Sequence, residues 1–140
     1  MMQHSEPLRL DRDGIVRHPN VHDARLEAIS VQKPQACLKI VDVEGKHLDL
    51  VLQGVERLHA SNFREGNIIF DITTGNDISA LDRSELASLF GTEVERLKQA
   101  HFLEAISSRL ANGELLFVRL VPSYGCSLIA LCGQVSFQSN

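Results

Sequence analysis

The sequence lacks most features that identify a nucleotide-binding, disulfide-linked or nucleic-acid-binding protein. It has no tryptophan, one tyrosine and three cysteines, with no CxxC pair. Neither GxGxxG nor GxxxxGK[ST] occurs, so the glycine-rich loops that hold nucleotide phosphates are missing. The 14 basic residues are scattered among 18 acidic ones, with no two adjacent. Because phosphate neutralisation supplies much of nucleic-acid affinity, this pattern disfavours DNA or RNA as the main partner.

The cysteine count and the first residues both indicate a reducing compartment. Cys37, Cys126 and Cys132 are an odd number of thiols in apolar surroundings, which is typical of reduced, buried cysteines. Residues 1–14 have no apolar core of the kind a signal peptide needs. The apolar runs are too short to span a bilayer, and no polybasic segment suits an anionic membrane. We therefore expect a cytoplasmic protein with no membrane partner.

The length and composition predict one domain with its own core. A chain of 140 residues is near the modal domain size, and a hydrophobic content of 44% with 23% charged residues is ordinary for globular proteins. We expect residues 1–140 to form a single domain, with residues 1–7 loose.

Alternating apolar residues predict strands on both sides of a helical region. The predicted strands cover 23–32, 36–43, 47–53, 67–74, 114–121 and 126–137. In the fourth strand, Ile68, Phe70 and Ile72 are predicted to share one face. Glu44 to Lys46 and Pro122 to Gly125 carry turn residues, and Gly133 is a candidate bulge.

The helical region carries start and stop signals. Asp82 is a candidate N-cap with Glu85 at the capping-box position, and Gly91 would end this short helix. A longer helix is predicted over 92–111, ending at Asn112-Gly113. The expected fold class is α+β: a mainly antiparallel sheet of about six strands, with one short and one long helix packed on one face and the other face partly solvated.

A histidine-rich segment before the first long strand is the most suggestive chemical cluster. His18, His22 and Asp23 lie within six residues, and imidazoles with a carboxylate can bind a divalent metal or share a proton. His47 or His59 would have to supply a third ligand. In the alternative interpretation, His22 and Asp23 only shape the turn into the strand.

The remaining candidates are single residues. Tyr124, in a predicted turn, could contact a partner, and His59 lies in a polar segment. Cys126 follows the same turn, but a thiol in apolar surroundings is typically inert. The candidate binding residues are therefore His22, Asp23, His59 and Tyr124, with no catalytic residue and no cofactor predicted.

Two segments resemble a group of small bacterial proteins. NVHDARLEAISV and LKIVDVEGKHLDLVLQGVERLHASNFREGNIIFDI, within residues 20–73, match an opening His-Asp-Ala-x-Leu-x-x-Ile motif followed by a hairpin. Some proteins of this pattern look like immunity proteins that neutralise secreted toxins. The resemblance implies a small β-rich fold used for protein binding, with His22 and Asp23 at the motif positions and no catalytic role for either.

The leading functional hypothesis is a non-enzymatic, protein-binding module, in one version of the immunity type. Its partner would be another protein or a second copy, the homodimer forming through a sheet edge or an exposed sheet face. The alternative is a small metal-dependent or acid-base enzyme that uses His18, His22 and Asp23. A third hypothesis is a carrier with a ligand pocket between helix and sheet.

Overall fold

The computed structural model describes residues 5–99 and 101–140. These residues form eleven strands, two α-helices and two 3-10 helices. The strands are β1 (Glu6–Pro7), β2 (Arg9–Leu10), β3 (Val16–His18), β4 (Arg25–Gln32), β5 (Gln35–Val41), β6 (His47–Gln53), β7 (Arg57–Ser61), β8 (Asn67–Gly75), β9 (Leu116–Tyr124), β10 (Ser127–Cys132) and β11 (Gln134–Ser139). The helices are 3-10 Ile78–Ala80, α1 (Arg83–Phe90), 3-10 Val94–Gln99 and α2 (Phe102–Ala111).

Nine of these strands form one antiparallel sheet that curls back on itself. Its order is β1-β11-β6-β5-β4-β8-β9-β10-β7, and β2 pairs with β3 separately. Strands β6 and β11 lie near one end of this order, and β7 and β10 lie at the other end. In the chain, β7 follows β6 and β11 follows β10. Since β6 pairs with β11 and β7 with β10, segment 47–61 runs antiparallel to segment 127–139 along its length. The result is a six-segment barrel in the order β4, β5, β6–β7, β10–β11, β9, β8.

The two long segments bend together at a shared irregularity. The Gly133 N–H donates to the Gln53 carbonyl at 2.8 Å, and the Glu56 N–H donates to the Leu131 carbonyl at 2.9 Å. These bonds carry the ladder across the bend, where one extra residue on the 47–61 side shifts the register by one. On the other side of the barrel, β4 and β8 close the sheet through a short ladder, since they pair at just two positions.

The barrel interior is the main core. Apolar side chains from every segment meet there, including Leu26, Leu38, Leu50, Ile69, Leu120 and Leu128. Each such residue contributes about 1.5–3 kcal/mol when fully buried. Cys126 and Cys132 belong to the same interior cluster, and both are fully buried.

A second core lies between the helices and the outer face of β9 and β10. Leu86, Leu89 and Leu110 pack there against Phe117 and Ile129. β10 is therefore buried on both faces, which explains why its sequence is continuously apolar instead of alternating. The expected α+β class with a mainly antiparallel sheet is confirmed, and the helices lie on one face, the outer one, where they cover only the part over β9 and β10. The other face, however, is the closed barrel interior and is not solvated.

The strand predictions need three corrections. The main sheet has nine strands, not about six. The predicted strand 126–137 divides at Gly133 into β10 and β11, which lie near opposite ends of the sheet order. β9 continues through Pro122 to Tyr124, so the turn is confined to Gly125 and Cys126.

The face predicted for the fourth strand is also wrong in part. Ile69 and Ile72 are buried, whereas Ile68 and Phe70 are exposed. The ladder between β8 and β9 is irregular at Ile68/Ile69 and Ile69/Asp71, so the alternation slips by one residue after Phe70. A one-residue slip transfers every later side chain to the opposite face.

The first predicted helix is confirmed in detail, and the second is shorter than expected. The Asp82 side chain accepts from the Glu85 N–H while Glu85 accepts from the Asp82 N–H, and Gly91 ends α1 at φ 64°. In place of one helix over 92–111, Val94–Gln99 is a 3-10 helix and only Phe102–Ala111 is α-helical. Val94 and Leu97 are three residues apart, the spacing that a 3-10 helix aligns.

The first described residues of the chain pair with the main sheet. Glu6 and Pro7 pair with Phe137 and Ser136, although residues 1–7 were expected to be loose; residues 1–4 lie outside the described part. None of the helices among the described residues is both long and apolar enough to cross a membrane.

Candidate functional site

The His-Asp motif forms a tight turn that attaches the chain to β8. The Asp23 N–H donates to the Ile69 carbonyl at 2.8 Å, and the Ile69 N–H donates to the Ala24 carbonyl at 2.9 Å. His22 Nδ1 lies 2.7 Å from the Phe70 carbonyl oxygen. Since a carbonyl oxygen can only accept, Nδ1 carries the proton and donates. This geometry favours the structural interpretation of the motif.

The second imidazole nitrogen faces the neighbouring carboxylate. His22 Nε2 lies 3.6 Å from Asp23 Oδ2, with both side chains more than half exposed. Asp23 has φ 63°, a left-handed conformation in which aspartate is tolerated better than bulky residues. The His22 ring also packs edge-on against Phe70, with ring centroids 5.5 Å apart. The motif thus contacts Phe70 at both its backbone carbonyl and its ring.

The histidines proposed as partners in a metal site, His18, His47 and His59, do not converge on His22. His18 packs edge-on against Phe137 of β11, with ring centroids 5.2 Å apart. His22, His47 and His59 line three separate clefts. Within residues 5–99 and 101–140, no three His, Cys, Asp or Glu side chains lie close enough to hold a metal ion together. The third ligand required by the enzyme hypothesis is therefore not supplied by His47 or His59.

Beside the motif, an exposed apolar strip crosses the outer face of the barrel. Ile68 of β8 is directly opposite Arg25 of β4 on one side and Tyr124 of β9 on the other, so the three side chains share a face. Phe70, two residues after Ile68, is exposed on the same side. The exposed fractions are 36% for Ile68, 46% for Phe70 and 42% for Tyr124. We call Arg25, Ile68, Phe70 and Tyr124 the outer strip.

The loop 62–66 borders the strip and adds charged and aromatic groups. The Arg64 guanidinium lies 5.7 Å from the centre of the Tyr124 ring, within cation–π range. The Tyr124 hydroxyl donates to Glu65 Oε1 at 3.3 Å. Phe63 in the same loop is half exposed. The strip therefore combines large apolar side chains with a charged border.

A buried amide holds this border in place. Asn67 Oδ1 accepts from the N–H groups of Arg64 and Cys126 at 2.7 and 3.0 Å. Its Nδ2 donates to the carbonyls of Leu26 and Arg64 at 3.1 and 2.8 Å. A single side chain thereby joins β4, the loop 62–66 and the turn after β9. Every hydrogen-bonding position used is on the backbone, so the strip is supported by rigid neighbours.

His59 lies elsewhere, in a cleft of about 300 Å³ between α1 and the sheet. The main charged groups there form a bidentate ion pair. Arg119 Nε lies 2.7 Å from Glu85 Oε2, and Arg119 Nη2 lies 2.8 Å from Glu85 Oε1. Arg119 Nη2 also donates to the Ala80 carbonyl at 2.6 Å. Because these charges satisfy one another, the pair mainly fastens α1 to β9.

The thiols are protected by burial. Burial raises the pKa of Cys132 to about 12 and raises the pKa of Cys126 in the same direction. Cys37 is half-buried, and burial is again the largest cause of its raised pKa, followed by the nearby Asp49 carboxylate. Since the thiolate is the reactive form, these surroundings disfavour a nucleophilic cysteine.

Of the predicted site residues, His22, Asp23 and Tyr124 lie in or beside the outer strip, whereas His59 lies apart from it. Ile68, Phe70, Arg64 and Asn67 were not identified as site residues. The signal for Ile68 and Phe70 was present in the apolar run of NIIFDI, but exposure depends on the slip in the ladder. No protein-family model, curated protein or solved structure matches this chain.

Proposed function

We propose that this chain is a non-enzymatic protein-binding module and that the outer strip is its binding surface. The observation that carries the proposal is the continuous, exposed row of Ile68, Phe70 and Tyr124 on a sheet face with no helix over it. Exposed apolar patches on folded domains commonly mark interaction sites.

The composition of the strip suits a protein partner. Tyrosine, phenylalanine and arginine are enriched at the centres of protein interfaces, where a few of them supply most of the binding free energy. Tyr124 lies beneath Arg64, so the ring presents an apolar body and a polar hydroxyl together. Arg25 and Arg64 flank this row and favour a partner surface with acidic residues at its edge.

The strip is also rigid enough to bind without much reordering. His22 holds the Phe70 end through its hydrogen bond to the Phe70 carbonyl, and Asn67 holds the Tyr124 end. Groups already fixed in the free protein lose less conformational entropy on association. We therefore assign His22 and Asp23 a supporting role, as residues that position the strip.

The partner is proposed to be another protein, with self-association as the competing outcome. Similarity of the motif to immunity proteins nominates a toxin as one class of partner. Neither choice changes which residues bind.

Native mass spectrometry of untagged protein, recovered gently from its own host, tests the proposal. We expect a complex with a foreign chain or a second copy. The double variant Phe70→Ser/Tyr124→Ser should lower the bound fraction at least tenfold while circular dichroism stays unchanged. Val43→Ser is the matched control, because Val43 is 64% exposed in the β5–β6 turn and lies outside the strip.

Three results would contradict the proposal. Equal complex formation by the wild type and the double variant would exclude the strip as the surface. Detection of only the monomer, with no bound chain under any condition, would argue against a binding module. A bound metal at full occupancy that is lost in His22→Gln would favour the enzyme hypothesis instead.

A further inference from the structure

A second surface feature, away from the outer strip, is a cleft of about 760 Å³ between α2 and the bend of the barrel. Its volume falls within the range of about 300–1,000 Å³ typical of small-molecule sites. The apolar part of its wall consists of Val55, Phe90, Phe102, Ala105, Ile106 and Leu131. We call this feature the helix cleft.

The walls of the helix cleft come from different parts of the fold. Phe90 ends α1 and Phe102 begins α2, with their ring centroids 4.7 Å apart. On the barrel side, the Val55 N–H donates to the Pro34 carbonyl at 2.7 Å, which fixes Val55 at the bend. The backbone polar group at this bend is thus satisfied internally, leaving an apolar wall for a ligand.

The charged rim of the helix cleft is strongly biased towards positive charge. Lys33, Arg57 and Arg109 line it, against the single carboxylate of Glu56. Arg109 forms ion pairs within the chain. Its Nη1 lies 2.8 Å from Glu56 Oε1, and its Nε lies 3.3 Å from Glu114 Oε2. Hydrogen bonds from Arg109 lower the pKa of Glu56, so both partners remain ionised, and the charge of Arg109 is already matched by carboxylates of this chain.

Two cations therefore remain for a ligand. Within the described residues, neither Lys33 nor Arg57 has a carboxylate within ion-pair distance. The Arg57 guanidinium lies 5.4 Å from the centre of the Phe90 ring, directly beside the apolar wall. This local excess of positive charge occurs in a chain whose formal net charge is −4. Two unpaired cations beside an apolar wall favour a ligand that has an anionic head and an apolar tail.

We propose that the helix cleft binds a small amphipathic carboxylate, such as a medium-chain fatty acid. The carboxylate pairs with Arg57 and Lys33, and the tail packs against Phe90, Phe102 and Ile106. A charged head near two unpaired cations gains charge-assisted hydrogen bonds, while the tail is removed from water. This binding is independent of the outer strip.

Isothermal titration calorimetry with octanoate tests the proposal, with 1-octanol as the neutral probe of equal chain length. We expect one octanoate per chain, bound at least tenfold more tightly than 1-octanol. Lys33→Glu/Arg57→Glu should weaken octanoate at least tenfold and leave 1-octanol nearly unchanged. Lys46→Glu is the matched charge control, since Lys46 lies in the β5–β6 turn beside Glu44.

Filling the cleft provides a second, separate measurement. Ala105→Trp should abolish binding of both probes, with circular dichroism verifying the fold. If that variant does not fold, the charge-reversal pair at exposed Lys33 and Arg57 still decides the question. Absence of octanoate binding at millimolar concentration, or equal weakening by Lys46→Glu, would overturn the proposal.

Discussion

Replacing Asn67 with alanine should destabilise the protein more than any exposed polar substitution and should also disorganise the outer strip. Asn67 is 2% exposed, and its amide makes four hydrogen bonds to backbone groups of Leu26, Arg64 and Cys126. Asn67→Ala would leave two N–H groups and two carbonyl positions without that partner.

The magnitude follows from these four bonds. A typical internal hydrogen bond contributes about 1 kcal/mol net, and a buried group left unpaired costs about 1–3 kcal/mol. Water can reach the Arg64 backbone groups, which are only partly buried, so part of the loss is recovered. We therefore expect the free energy of unfolding to fall by about 3–4 kcal/mol, equivalent to a Tm lower by on the order of 10 °C.

Two readouts separate a global effect from a local one. Urea unfolding followed by circular dichroism measures the free energy of unfolding, with Asn76→Ala as the exposed control. Tyrosine emission reports on the strip directly, because Tyr124 is the only tyrosine and there is no tryptophan. In Asn67→Ala we expect the emission of the folded protein to change, since Arg64 and Glu65 lose their fixed positions around the ring.

A loss below about 1 kcal/mol would refute this reasoning. It would mean that the backbone groups around Asn67 find other partners at little cost. An unchanged tyrosine emission, despite the expected loss of stability, would show that the border of the strip is held by contacts other than Asn67.

Two further predictions concern the backbone and the thiols. Gly125→Ala should lower the free energy of unfolding by more than about 1–3 kcal/mol, because Gly125 has φ 87° and an added Cβ would lie 2.4 Å from Asn67 Oδ1. The control Gly45→Ala, at φ 82° with open space around it, should lose only the part due to backbone strain. Equal losses in urea unfolding would show that the clash with Asn67 contributes nothing. The pKa of Cys132 rises from 9.0 to about 12 on folding, so the unfolded chain loses this proton at a lower pH than the folded chain. The free energy of unfolding should therefore keep the full contribution of Cys132 below pH 9. Between pH 9 and 12 it should fall by up to about 1.4 kcal/mol per pH unit from Cys132 alone. Cys132→Ala should flatten this slope in urea midpoints measured at pH 8, 9 and 10, and an unchanged slope would contradict the assignment.

The local features of this fold could be predicted because their interactions span only a few residues. The capping box of Asp82 and Glu85 and the left-handed glycine after α1 both depend on residues within one turn. The turn from Asp42 to Lys46 is likewise built by one side chain, since Asp42 Oδ1 accepts from the N–H groups of Glu44 and Lys46. Such bonds form wherever the chain places a short polar side chain beside free backbone groups.

The binding surface could be predicted only in part. The sequence indicates Tyr124 through its place near a turn, and His22 and Asp23 through their motif. Strict alternation predicts one face shared by Ile68, Phe70 and Ile72. The exposure of Ile68 and Phe70 depends on an irregular ladder with β9, a strand about 50 residues further along the chain.

By itself, the sequence determined the α+β class, most strand positions, α1 and the chain reversals, since these follow from residue periodicity and short-range hydrogen bonds. Only the tertiary structure decided that the sheet closes into a barrel, through pairing of segment 47–61 with segment 127–139. It also decided which apolar residues remain outside. The physical reason is that a side chain's face depends on the register of its strand with partners distant in the chain, and one extra residue in either strand reverses it.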